Sequence, residues 1–155
     1  MGSKGTIKHS QPCTIISIGY EGRDLDMFLD ILRRNQVDAV VDVRLTPISR
    51  KRGFSKTALM TALDAVGIDY LHLRALGNPK ENREPFRNGQ VAVGREVFLA
   101  HMNNGSRSAY EEVLRLAHDQ RIAVLCFEHD DRVCHRGCIT DQAQEENPAL
   151  SIIKA

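Results

Sequence analysis

Apolar and polar positions recur along this chain with two different periods, and the switches between them mark the elements. Residues 14–18 (TIISI) are a continuous, β-branched apolar run that stops at Gly19, the pattern of a strand buried on both faces. Leu25, Phe28, Leu29 and Leu32 then follow the i, i+3, i+4, i+7 stripe of an amphipathic helix. Residues 39–43 (AVVDV) predict a second strand, interrupted by Asp42. Ser55 is placed as an N-cap for a helix with Leu59, Ala62, Leu63 and Val66 on one face, and Gly67 stands where that helix should stop. Residues 68–73 (IDYLHL) predict a third strand. The stretch 77–94 is rich in Gly, Pro, Asn and charge and reads as one long loop, a length that often carries function. A short helix is expected over 96–103. A capping box, Ser108-x-x-Glu111, is expected to open the next helix, with Tyr110, Val113, Leu114 and Ala117 facing inward. Residues 122–127 (IAVLCF) predict a fourth strand and 136–146 a last helix.

Strands alternating with amphipathic helices predict an α/β fold: a single-domain three-layer sandwich with a mostly parallel sheet of about four strands. That domain is expected over 13–155, after a polar, aperiodic leader over 1–12 that should be disordered. Composition agrees with one ordinary core. The 155 residues are 42% hydrophobic and 26% charged, and the net charge is only +1, which excludes disorder as the main state. The balance of charges excludes a generally basic coat but leaves room for a local basic patch. No apolar run has the length of a membrane span, and the chain does not open on an apolar export signal. The expected compartment is therefore the cytoplasm, where Cys13, Cys126, Cys134 and Cys138 should stay reduced.

In parallel sheets, ligands bind outside the carboxyl ends of the strands. Four segments bring polar residues there: Gly19-Tyr20-Glu21-Gly22-Arg23, Asp42-Val43-Arg44, His72 with Arg74, and Cys126 with Glu128. Asp42 and Arg44 are two apart, so they share one side of their strand. Asp42 then serves as a general base or orients one, with Arg44 gripping an anion, or the two form a structural ion pair. Cys126 and Glu128 repeat the spacing. Cys126 is either a thiolate nucleophile or a buried small hydrophobe, and nearby acids argue for the second. Glu128 is expected beside Asp42 as the other half of an acid–base pair.

Cys126 and Arg132 also match the Cys-x5-Arg anion loop, but Glu128, Asp130 and Asp131 inside it would repel an anion, so the match reads as coincidence. Cys134 and Cys138, with Cys126, offer soft ligands for zinc, although paired C-x2-C elements are absent. His135 and Arg136 are expected at the start of the last helix, as proton carrier and anion clamp. Residues 43–63 contain no acid but carry Arg44, Arg50, Lys51, Arg52 and Lys56. With Ser49 and Phe54, this stretch suits a polyanion, Phe54 supplying a stacking face, or it is simply a solvated basic loop.

These segments together resemble the domain-of-unknown-function 488 family. TIISIGYEGR, AVVDVRLTPISRKRGFSK, the Ile-x-Tyr-x-x-Leu…Leu-Gly stretch over 68–77 and VLCFEHDDRVCHR match in order over about 14–140, with DVR-x-x-P-x-S and C-x-E…CHR occurring together. The resemblance implies an α/β domain with a polar site. Its signature residues fall here on Gly19, Arg23, Asp42, Arg44, Pro47, Ser49, Cys126, Glu128, Cys134, His135 and Arg136. Members often have Gly-His-Ser after the first strand, where this chain has Gly19-Tyr20-Glu21. If that histidine is chemical, Tyr20 must substitute for it or the activity differs.

The resulting expectation is an enzyme, hydrolase or transferase, acting on a phosphate-bearing substrate such as a nucleotide or nucleic acid. Asp42 and Glu128 would do the acid–base work, with His135 assisting and Cys126 at the same edge. Tyr20, Arg23, Arg44, Ser49 and Arg136 would hold the substrate. No cofactor is required, zinc at Cys134 and Cys138 being the one candidate. The alternatives are a non-catalytic nucleic-acid-binding module and a cysteine-dependent redox or sulfur-transfer protein.

Overall fold

A computed structural model describes residues 13–155; the expected leader over 1–12 lies outside them. The described residues form one open five-stranded sheet of order β3-β2-β4-β1-β5, with every pairing parallel. The strands are β1 (Thr14–Gly19), β2 (Ala39–Asp42), β3 (Asp69–His72), β4 (Ile122–Cys126) and β5 (Ser151–Lys154). The helices are α1 (Leu25–Arg34), α2 (Lys56–Ala65), α3 (Arg83–Arg87), α4 (Val91–Gly105), α5 (Arg107–Asp119) and α6 (His135–Glu146). None is long and apolar enough to cross a membrane.

Strand alternation divides the core in two. Ile16, Ile18, Val40, Ala123 and Leu125 face α1 and α2, packing on Phe28, Leu32, Leu59 and Leu63. Ile15, Val41, Val43, Ile122 and Val124 face α4–α6, packing on Phe98, Met102, Tyr110, Val113 and Ile139. This is a three-layer α/β sandwich, as the alternation of periods predicts, with one strand more. β5 is four residues at the sheet edge, with only Ile152 and Ile153 as its β-branched signal.

The sequence 77–94 is less of a loop than its composition suggests. A 3-10 turn over Lys80–Asn82 runs into α3, and α4 already starts at Val91. Buried Asn82 ties them, donating to the carbonyl of Gly94 and to Asn78 Oδ1, both at 2.9 Å. The Ser108 capping box is not formed. α4 runs to Gly105 and α5 starts at Arg107, leaving Ser106 alone between them, while Glu111 pairs with Arg107. Ser55 does precede α2, but its hydroxyl bonds the backbone of Ser49 instead of capping the helix.

β4 lies between β2 and β1, pairing Leu125 with Asp42 and Cys126 with Gly19. The chain leaves β1 and β2 toward α1 and α2, but leaves β4 toward α6 on the opposite face. The carboxyl end of β4 is thus a topological switch point, where open parallel sheets form a crevice.

Candidate functional site

A cleft of about 990 Å³ opens at that point. Its walls come from Tyr20 after β1, the segment from Arg44 to Arg50 after β2, Arg83, Phe86 and Arg87 on α3, Cys126 to Glu128 after β4, and Val133 to His135 at the start of α6. Arginines 44, 50, 83 and 87 line it, and Glu128 is the one carboxylate among its lining residues.

Asp42 and Arg44 meet, as their spacing predicts, and they close on each other. Arg44 Nε donates to Asp42 Oδ1 at 2.9 Å and Nη2 to Oδ2 at 2.7 Å. The Arg44 backbone N–H donates to Oδ1 at 3.1 Å, and the Tyr70 hydroxyl donates to Oδ2. Arg44 Nη1 donates to the Phe54 carbonyl at 2.6 Å and to the Tyr20 hydroxyl at 3.2 Å. Four of the five guanidinium N–H groups are thereby engaged. Burial alone would lower the Arg44 pKa, but the hydrogen bonds and charge of Asp42 raise it above the ordinary arginine value. Burial and the Asp42 bond likewise push the Tyr70 hydroxyl up. Asp42 is 0% exposed. Of the two arrangements expected for Asp42 and Arg44, the geometry is that of the buried ion pair.

Glu128 does not stand beside Asp42. Register pairs Asp42 with Leu125 on the α1/α2 face, so Cys126, one residue on, points to the α4–α6 face, and Glu128 follows it. There Cys126 Sγ lies 3.4 Å from Glu128 Oε1, the one hydrogen bond to that carboxylate among the described residues. Cys126, Glu128 and Cys134 place their ligand atoms within 4.8 Å of one another. Cys134 Sγ accepts the Arg136 N–H as the N-cap of α6, at 3.4 Å. Burial pushes the Cys134 thiol well above its usual range, and its hydrogen bond with Cys126 adds to this.

His135 has Nε2 2.8 Å from the carbonyl of Val43, so Nε2 carries the proton and Nδ1 is left bare, 3.6 Å from Cys134 Sγ. Burial lowers its pKa despite the opposing Val43 bond, which keeps the ring neutral near pH 7.

Arg136 does not reach the cleft. It is 1% exposed, with Nε on Ser17 Oγ at 2.7 Å and Nη1 on Cys126 Sγ at 2.9 Å and the Glu128 carbonyl at 2.8 Å. Ser17 passes the charge on to buried Asp131, 2.9 Å away. Arg136 therefore pins the segment after β4, and it is not among the residues lining the cleft. Two glycines let this segment sit so close. A Cβ on Gly19 would lie 1.8 Å from the Glu128 carbonyl oxygen, and one on Gly137 2.3 Å from that of Asp131.

Of the other expected site residues, Tyr20 and Ser49 line the cleft. Arg23 instead bonds the Gly19 carbonyl at 2.9 Å. Phe54 is no stacking face: it is 0% exposed and stacked on Tyr20, centroids 4.4 Å apart. Lys51 reaches back to the Arg23 carbonyl at 2.8 Å. Cys138 is buried in the core, its thiol pushed up to about 11 by burial, and is not among the clustered ligands. Arg132 is exposed and paired with Asp130, so the Cys-x5-Arg match forms no anion loop.

Sequence reasoning missed Arg83, Arg87 and Phe127. Their positions depend on how 77–94 folds and on which way the chain turns after β4. The signal available was the charge within the loop, Arg83 and Arg87 flanking Phe86.

An open parallel sheet with a polar, arginine-lined cleft at its switch point places the chain among the open α/β domains. Within that class, the family model described as "Domain of unknown function DUF488" matches residues 24–143, and the chain belongs to that family. Tyr20, where members often carry histidine, precedes the matched residues. No curated protein and no solved structure matches the chain.

Proposed function

We propose that this protein is a cytoplasmic enzyme, a hydrolase or transferase, acting on a phosphate-bearing substrate such as a nucleotide or nucleic acid. The observation that carries this reading is the charge of the cleft wall. Arg50, Arg83 and Arg87 are exposed and make no ion pair among the described residues, and Glu128 is the single carboxylate among the residues lining the cleft. Free guanidinium groups converging on one crevice suit phosphate oxygens, which they bind bidentately. Phe127, 43% exposed at the rim, offers an apolar face for a base.

Glu128 takes the acid–base role in this reading, because its carboxylate is half-buried and only lightly bonded. His135 is a positioning residue, fixed by Val43 and holding its bare nitrogen toward Cys134. The free state of all four thiols fits a reducing compartment. Burial of Cys126 and Cys134 weighs against nucleophilic sulfur.

Calorimetric titration with nucleoside mono-, di- and triphosphates and short oligonucleotides, followed by assay of phosphate or nucleotide release, tests the reading. The expected outcome is binding that weakens about tenfold or more in Arg83→Ala and in Arg87→Ala, and turnover lost in Glu128→Gln with binding kept. No affinity for any phosphate compound sinks it. The exposed arginines and Phe127 also favour a second reading, a nucleic-acid-binding module without turnover. Salt-dependent binding with no reaction, removed by charge reversal at Arg50 and Arg52, would select that one.

A further inference from the structure

The carboxyl end of β4 and the N-terminus of α6 bring two sulfurs and a carboxylate to one point, and no anion-binding role uses them. Cys126 and Glu128 come from the strand end and Cys134 from the helix cap, so three backbone positions fixed by the fold converge. We propose that Cys126 Sγ, Cys134 Sγ and one Glu128 carboxylate oxygen form a zinc site whose fourth position opens into the cleft.

The distances suit the ion. With Zn–S near 2.3 Å and Zn–O near 2.0 Å, neighbouring ligands of a tetrahedron stand about 3.5–3.8 Å apart. Cys126 Sγ and Glu128 Oε1 are already 3.4 Å apart, and all three ligand atoms lie within 4.8 Å of one another. Two thiolates and a carboxylate supply three negative charges. Zn2+ leaves one of them, and the Arg136 guanidinium, 2.9 Å from Cys126 Sγ, balances it. On binding, each thiol gives its proton to solvent as its sulfur bonds the metal.

The surroundings are those of a metal-thiolate centre. Cys126 Sγ receives a side-chain N–H and Cys134 Sγ a backbone N–H, both from Arg136. Such outer partners orient ligand sulfurs and stabilise their charge. Sulfur ligands select zinc over magnesium or calcium. Three protein ligands with an open fourth position are the arrangement of catalytic zinc rather than structural zinc. The open position faces the wall that carries Arg83 and Arg87, because Cys126, Glu128 and Cys134 all line the same cleft. The set differs from a cysteine-only site: Glu128 belongs to it and Cys138 does not.

The site does not rest on the anion reading, and with zinc bound it makes Glu128 a ligand in place of the acid–base role given to it above; the cysteine and arginine variants, not Glu128, let the two fail separately. Full-length protein is stripped with chelator under reducing conditions and titrated with Zn2+ and with Co2+. The expected result is one metal per chain by elemental analysis. Cobalt should give thiolate charge-transfer bands together with the intense visible bands of a tetrahedral centre. Cys126→Ser and Cys134→Ser should each weaken zinc by about a hundredfold or more, beyond the about 10–100-fold typical of an outer partner. Glu128→Ala should weaken zinc while keeping the sulfur bands, whereas Cys13→Ser and Cys138→Ser should change nothing. Arg83→Ala should leave the cobalt spectrum intact whatever it does to phosphate binding. Absence of thiolate bands in the wild-type chain overturns the site, a result that needs no variant to fold. So does metal that stays in the double Cys126/Cys134 variant, or that leaves with Cys138.

Discussion

Two residue pairs at the carboxyl edge of the sheet share one spacing and have opposite fates. Asp42-x-Arg44 leaves β2 and Cys126-x-Glu128 leaves β4, the neighbouring strand. In the first, every charge is answered within the fold: Arg44 embraces Asp42, Tyr70 completes the carboxylate, and Tyr20 and the Phe54 carbonyl take further N–H groups. In the second, Glu128 keeps a single hydrogen bond, to a thiol, and faces the cleft. An i, i+2 spacing shows which side chains are neighbours. Whether they remain free for chemistry depends on what the rest of the chain brings to them.

The comparison is broken most forcefully at the closed pair. Asp42→Ala leaves the Arg44 guanidinium buried without its partner, and stability should fall by about 3–5 kcal/mol in urea unfolding. A loss below about 1 kcal/mol would mean that the pair is not closed in solution. At the open pair, in metal-free protein, Glu128→Gln should move stability by no more than about 1 kcal/mol, since one hydrogen bond to sulfur is all it disturbs. Thermal melts of the two variants side by side give the contrast directly.

The smallest effect is expected at a third pair with the same spacing, Asp130 and Arg132, which is exposed. There the Arg132 hydrogen bonds hold the Asp130 carboxyl at about 2, below the ordinary 3.8. A depressed carboxyl stabilises the fold above its unfolded value and loses that contribution as pH falls through the folded one. Asp130→Asn should therefore lower the melting temperature only slightly at pH 7, the pair being exposed, and that small difference from wild type should close as pH falls from 4 to 2.

Much of this was legible in the residues. The first four strands, the helices α1, α2 and α6, and the two strand-end pairs all follow from periodicity and spacing. The faces on which the pairs lie do not, because they depend on the register between β2 and β4, and nothing local fixes how strands some eighty residues apart align. The same holds for Arg136, whose position at a helix start suggests an anion clamp. Its guanidinium is claimed by Ser17, Cys126 and the Glu128 carbonyl, groups distant or hidden in the sequence. Phe54 and Phe127 exchange expected roles for a similar reason. The aromatic in the basic stretch is drawn under Tyr20, and the one ending an apolar run is left in solvent.

The insertion of β4 between β2 and β1 also governs when the molecule can exist. During synthesis β1, β2 and β3 emerge first, yet β1 and β2 never pair with each other. Until residue 126 has left the ribosome there is no continuous sheet, only a lone strand and a two-stranded fragment with apolar edges open to self-association. The late strand that joins them is the one that carries Cys126 and delivers Glu128. Joining of the two sheet fragments thus precedes or accompanies creation of the site, and a nascent chain has no partly folded form that already displays the cleft.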